Sequence, residues 1–136
     1  MANSHGIDKK VIQTDKAPQA IGPYSQAIRS GNLLFISGQI SLDPTSGKIN
    51  QFDGSVAKQC RLALANLNAI LASENLTVDN VVKTTVYLKS MDDFLTMNAA
   101  YETYFQQSRP ARATVAVSGL PGGVLFEIDA IAVYPS

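Results

Sequence analysis

The sequence is poor in several residue types at once. Among its 136 residues there is one cysteine, Cys60, one histidine, His5, and no tryptophan. A single thiol forms no intrachain disulfide, so a reducing, intracellular home is expected: the cytoplasm first, with an organelle left open. One histidine, placed in the N-terminal tail, leaves no Ser-His-Asp triad, and the sequence holds no histidine- or cysteine-rich metal site. Charge of one sign is also lacking, since 11 Lys and Arg balance 11 Asp and Glu. That argues against nucleic-acid binding, which normally shows as a basic excess or stripe. No run approaches the roughly 18 apolar residues of a membrane span. The opening MANSHGIDKK lacks both the apolar segment of a secretory signal and the arginines of a transit peptide. It reads as a lead-in over residues 1–16, with His5 solvated and a short strand near Val11 to Thr14.

What is present is a globular composition, 46% apolar and 16% charged. Residues 17–136 fit one domain, long enough to bury about two thirds of the surface its unfolded chain exposes. Tyr24 to Ser30 and Asn32 to Ser41 read as strands joined by a Gly31-Asn32 hairpin turn. LDPTSGK, from Leu42, is a loop. From Ser55 to Asn75 the residues Val56, Cys60, Leu64, Leu67, Ile70 and Leu71 recur at steps of three and four, which predicts an amphipathic helix with Cys60 as a small core residue. Asn80 to Ser90 is β-branched and aromatic, hence a strand. Ser90 and Asp93 have capping-box spacing ahead of a second helix with Phe94, Met97, Tyr101, Tyr104 and Phe105 on one face. Ala111 to Gly119 and Val124 to Tyr134 complete a β-β-α-β-α-β-β order, an α+β sheet with two helices.

Two helices cover one face of such a sheet. On the last strand, Phe126, Ile128, Ala130 and Ala132 alternate onto the helix side, which turns Glu127 and Asp129 to the other. The strand with Leu33, Leu34, Phe35 and Ile36 is apolar on both faces, so a second copy of the chain is expected on the bare side. Reading Leu120-Pro121-Gly122-Gly123 as a hairpin turn puts Ala116 opposite Glu127. It then places Arg112, Thr114 and Ser118 on the same helix-free face as Glu127.

The stretches AIGPYSQAI, LLFISGQI, VVKTTVYL, MNAAYETYF, RPARATVAV and LFEIDAIAVY, in this order from about Ala17 to Tyr134, resemble the RidA-type reactive-intermediate deaminases, also called the YjgF family. The resemblance implies a chorismate-mutase-like fold assembled as a homotrimer, with active sites between subunits. It implies cofactor-free hydrolysis of enamines and imines, such as 2-aminoacrylate, 2-iminopropanoate and 2-iminobutanoate, to 2-keto acids and ammonia. On this chain the family's carboxylate-binding arginine falls on Arg112, its water-handling glutamate on Glu127, and its pocket tyrosine and asparagine on Tyr24 and Asn98. Thr114 stands where many members carry cysteine, so chemistry needing a thiol there is not expected. Gly38, with Ser37 and Gln39, offers backbone donors to a ligand.

The residue types suit that reaction. Arg112 can hold a carboxylate with two parallel hydrogen bonds and keeps its charge. Glu127 can hold a water and take its proton as it attacks the C=N carbon. Without the resemblance, a salt bridge from Arg112 to Glu127 or Asp129 is the simpler expectation, and Asp129 reads as structural or interfacial. Two other functions stay open at this point: a non-catalytic sensor of small metabolites, and an RNA-cleaving inhibitor of translation, which zero net charge and the single histidine disfavour.

Overall fold

The computed structural model describes residues 6–136; the solvated lead-in expected around His5 lies outside them. Six strands form one mixed sheet, β1 (Lys10–Ile12), β2 (Ala27–Ser30), β3 (Leu33–Gln39), β4 (Val81–Leu88), β5 (Ala111–Ala116) and β6 (Phe126–Val133), in the spatial order β1-β2-β3-β6-β4-β5. Helices α1 (Val56–Ser73) and α2 (Phe94–Phe105) join β3 to β4 and β4 to β5. The α+β class and the two-helix count are as expected, and β1 supplies the short extra strand.

Local chemistry explains the boundaries. β2 and β3 form a hairpin because Gly31, with φ +61°, takes the positive angle that a two-residue turn demands. Ser55 caps α1 by accepting the Lys58 N–H at 3.2 Å, worth about 1 kcal/mol. The capping box expected at Ser90 is displaced. Ser90 accepts from the Asp92 N–H of a one-turn 3-10 segment, Met91–Asp93, and Asp93 precedes α2 with no side-chain cap. The two acidic residues sit in that tight turn, so the helix starts one turn later than the spacing suggests.

The core lies between the helices and one sheet face. Leu34 and Ile36 of β3, Val86 and Leu88 of β4, and Phe126 and Ile128 of β6 meet the apolar stripe of α1 and the Met97–Tyr101–Phe105 face of α2. Each large side chain sealed here contributes roughly 1.5–3 kcal/mol relative to exposure. Cys60 is fully buried, and burial pushes its thiol up to about 12, so it is core and not a nucleophile.

The other face has no helix. There the register sets Val11 beside Ile28, Ile28 beside Phe35, and Phe35 beside Ile131, an apolar stripe across four strands. Phe35 is 42% exposed. This is the bare, greasy side that the two-faced β3 pattern predicted.

The hairpin expected between β5 and β6 does not form. β5 instead pairs with β4, in parallel, with α2 as the crossover, and β4 lies between β5 and β6. The chain from β5 to β6 arches over the end of β4: the Val117 N–H donates to the Leu88 carbonyl at 2.9 Å, and the Lys89 N–H to the Leu125 carbonyl at 3.1 Å. Leu120-Pro121-Gly122-Gly123 turns the chain within this arch. β6 lies between β3 and β4 and pairs both of its edges with long strands.

Candidate active site

The change of partner changes the face. Arg112 is registered beside Thr84, which is fully buried and shares a 2.8 Å hydrogen bond with the Tyr101 hydroxyl of α2. Arg112 therefore projects to the helix side, its guanidinium carbon 4.8 Å from the centre of the Tyr101 ring and 5.7 Å from that of Phe94. Thr114, beside the buried Val86, shares that side. The expectation that Arg112 and Thr114 stand on the helix-free face with Glu127 is overturned, because it rested on the β5–β6 hairpin. Ala113 and Val115 take the open side instead, Val115 being 42% exposed.

The candidate residues thus separate into two groups. In the first, Arg112 shares a hollow of about 300 Å³ with Asn98, Tyr101, Glu102 and Arg109. The Tyr101 face attracts the cation. Two buried oxygens on this side of the sheet have no partner: Oδ1 of Asn98, which lines the hollow, and Oγ1 of Thr114, two residues along β5 from Arg112. No backbone group of the described residues donates to the Asn98 oxygen. Buried unpaired acceptors beside a cation suit a ligand that brings hydrogen-bond donors.

In the second group, Glu127, Gly38 and Tyr24 share a cavity of about 440 Å³ whose other walls include Ile40, Leu42 and Pro121. Its lining is mostly apolar. Gly38 lies in a bulge where Ser37 and Gly38 oppose the single residue Asp129 between the Ile36–Ala130 and Gln39–Ile128 pairs. The bulge brings the Gly38 backbone against the acid. A Cβ on Gly38 would stand 2.9 Å from Glu127 Cδ and overlap its carboxylate. Tyr24 precedes β2 in a loop, half exposed, and not in a strand as expected. Its oxygen accepts the Ile21 N–H at 3.4 Å, a weak bond that leaves its proton available.

Glu127 is half-buried, and its pKa is raised above the ordinary carboxylate value, first by burial and then by the charge of Asp129. Asp129 differs: it accepts the Tyr87 hydroxyl at 2.7 Å, a bond between β6 and β4. It is an anchored acid beside a free one, which fits a structural part. Neither acid meets Arg112, so the simple intrachain salt bridge is excluded by the faces they occupy. Among the described residues no group of three or more His, Cys, Asp or Glu side chains is gathered as metal ligands would be, and no helix is long and apolar enough to cross a membrane.

Sequence reasoning overlooked Tyr101 as a platform. It was assigned to the core of its helix, and nothing in the spacing linked it to Arg112. It also overlooked the amides that hold the cavity walls, described below.

Residues 14–134 match the family described as Endoribonuclease L-PSP, and the chain belongs to that family. A mouse protein named 2-iminobutanoate/2-iminopropanoate deaminase is 52% identical over 127 residues, 93% of each chain. The crystal structure of the Escherichia coli YjgF gene product superposes with a TM-score of 0.85 at 44% identity, over 93% of this chain and 99% of that one. So does Escherichia coli TdcF with bound serine, at a TM-score of 0.85 and 40% identity, over 93% and 99%. The YjgF-family resemblance and the α+β fold of two helices on one sheet are borne out.

Proposed function

We propose that the protein hydrolyses enamine and imine intermediates derived from amino acids, 2-aminoacrylate/2-iminopropanoate and 2-iminobutanoate, to 2-keto acids and ammonia without a cofactor. The reading places each site between two copies of the chain in a closed ring, the homotrimer implied by the family. One copy supplies Glu127, Tyr24 and the Gly38 backbone. The next supplies Arg112, Asn98 and Thr114. The observation that carries it is the division itself: a free, raised-pKa acid in an apolar cavity on one side of the sheet, and a stacked cation with unpaired oxygens on the other. Neither half is complete in one chain. The apolar stripe through Phe35 and Ile131 provides a surface for a second copy to cover.

The steps follow from the groups. Arg112 grips the substrate carboxylate bidentately. The ionised Glu127 takes a proton from water as the water oxygen bonds to the C=N carbon, and passes that proton to the nitrogen. The resulting tetrahedral carbinolamine loses its C–N bond as the hydroxyl oxygen forms the C=O; Glu127 takes the hydroxyl proton and hands it to the departing nitrogen, which leaves as ammonia. An enamine first gains a proton at its terminal carbon and gives one up from its nitrogen to become the imine. Water is consumed and ammonia released, so no redox partner is required.

Support for a small amino-acid-derived ligand comes from the bound serine of TdcF and from the name of the mouse relative. Binding without turnover, a regulatory role, would use the same cleft and not need Glu127 as a base. The test is keto-acid release. A dehydratase generates 2-aminoacrylate from serine, and pyruvate is followed with and without the protein. Faster pyruvate formation is expected, lost on Glu127→Gln. No acceleration with retained serine or pyruvate binding would leave the regulatory reading, and cleavage of added RNA would favour the activity in the family's name.

A further inference from the structure

Four amide side chains are buried: Gln39, 6% exposed, lines the cavity from β3, and Gln26, Gln59 and Asn66 are 3%, 0% and 2% exposed. Gln26, Gln59 and Asn66 have no part in the reaction described above; Gln26 lines the cavity that holds Glu127, and Gln59 and Asn66 bond backbone groups of the segments around it. The cavity's walls are three irregular segments, and irregular backbone inside a protein needs partners that no ladder supplies. Each wall has one amide.

Gln26 accepts the Thr14 N–H at 2.7 Å and donates to the Thr14 and Pro18 carbonyls at 2.9 and 2.8 Å, which fixes the segment leading to Ala20 and Ile21. Asn66 donates to the Ile40 and Leu42 carbonyls at 3.1 and 2.8 Å; both residues line the cavity. Gln59 accepts the Leu125 N–H at 2.8 Å, two residues before Glu127, and donates to the Gln51 carbonyl at 2.9 Å. The exposed Gln51 continues the strap, donating to the Gly122 carbonyl at 2.9 Å beside the cavity residue Pro121. Gln59 and Asn66 are seven positions apart, two turns of α1, so one helix stripe holds two walls. A methionine or leucine would pack in these places equally well. Only an amide offers an acceptor and two donors together.

We infer that Gln26, Asn66 and Gln59 are positioning residues, one per wall, and that the Gln59–Gln51 strap sets the place of Glu127 while Asn66 sets the shape of the ligand cavity. This rests on the imine-hydrolase reading for its kinetic consequence, not for its geometry. The groups facing Glu127 are Asp129 on its own strand, Tyr87 on β4 and Tyr24 across the cavity. Loosening the strap changes none of them and admits water to the carboxyl.

The experiment compares Gln59→Met, Gln51→Ala and Asn66→Leu in the full chain. In keto-acid release, Gln59→Met is expected to lower kcat by about ten- to hundred-fold with far less change in KM. Gln51→Ala, at an exposed position, should do the same to a smaller degree, and carries the test if Gln59→Met does not fold. Asn66→Leu should raise KM more than it lowers kcat. Independently of any reaction, the Glu127 side-chain carbon is titrated by NMR, and its pKa should fall toward the ordinary value in Gln59→Met and Gln51→Ala. If the strap variants leave both the titration and kcat unchanged, or if all variants lose kcat and KM alike in step with melting temperature, the assignment is overturned. An inactive wild type whose Glu127 titration still responds to the strap would refute the imine reading and keep the strap.

Discussion

The cavity around Glu127 has walls mostly of irregular chain; the hollow around Arg112 is built chiefly on α2 and β5, closed by the Arg109–Pro110 connection between them. In the hollow, position follows from the backbone: Arg112 is on β5, and its platform Tyr101 is on α2, tied to β4 through Thr84. In the cavity, position has to be added by side chains, by a bulge at Gly38 and by buried amides. The difference suits the two tasks proposed for these residues. A cation that orients an anion needs rigidity and keeps its charge wherever it sits. A carboxyl that takes and returns a proton needs a partly dry surrounding to raise its affinity for that proton, and a bulged, loop-lined recess provides it.

The comparison is broken most directly by removing one half at a time. Glu127→Gln should lower kcat by about 10²–10⁴-fold. Arg112→Ala should fall as far in kcat/KM, with Arg112→Lys recovering only part, since lysine lacks the flat fork of donors. Mixing the two inactive variants after dissociation and reassembly should restore activity in about a quarter of the interfaces of a random ring, because those pair an intact Glu127 with an intact Arg112. A mixture that stays inactive while forming mixed oligomers would mean that each site draws on one chain.

Gly38→Ala comes next. Its methyl group overlaps the Glu127 carboxylate, so the acid must move, and a misplacement on the order of 1 Å lowers turnover by about 10²-fold. Unchanged kcat would show that Glu127 acts from another rotamer.

Asp129→Asn probes the electrostatics of the cavity. Asp129 raises the Glu127 pKa, so removing its charge should move the acid limb of the pH–rate profile to lower pH, while the asparagine oxygen still accepts the Tyr87 hydroxyl. The sign for stability follows. A carboxyl whose folded pKa is raised favours the folded state below its unfolded value, and that contribution is lost as pH rises through the folded pKa. Glu127→Gln should therefore melt slightly higher than wild type at neutral pH, with the advantage shrinking toward acid pH.

The smallest effect belongs to the hollow. Thr114 Oγ1 is buried without a partner, so Thr114→Val should leave stability unchanged or raise it by about 1 kcal/mol. A concurrent rise in KM would assign the hydroxyl to the ligand.

Much of this was legible in the sequence and some was not, for reasons that lie in particular residues. The helix over Val56–Ser73 follows from apolar spacing, and the outward turn of Glu127 and Asp129 from strict alternation beside Phe126, Ile128 and Ala130. The open face followed from β3, with Leu34 inside and Phe35 outside. The side of the sheet on which Arg112 stands could not follow from alternation alone. Strand parity relates two residues only after their strands are known to be neighbours, and Leu120-Pro121-Gly122-Gly123 gives no sign that the chain passes over the end of β4. The amides at Gln59 and Asn66 were hidden for another reason: polar residues on a predicted apolar stripe look like imperfections until the loops they hold are in place.

The position of β6 bears on how the protein is made. It is the last of the six strands to leave the ribosome, yet it fills the middle of the sheet, between β3 and β4. Until residues 126–133 have emerged, both of those strands expose an unsatisfied hydrogen-bonding edge next to apolar side chains, an invitation to pair with neighbouring nascent chains. Translation that stalls short of Phe126 should yield an aggregation-prone client for chaperones, and placing β6 should close both of those edges.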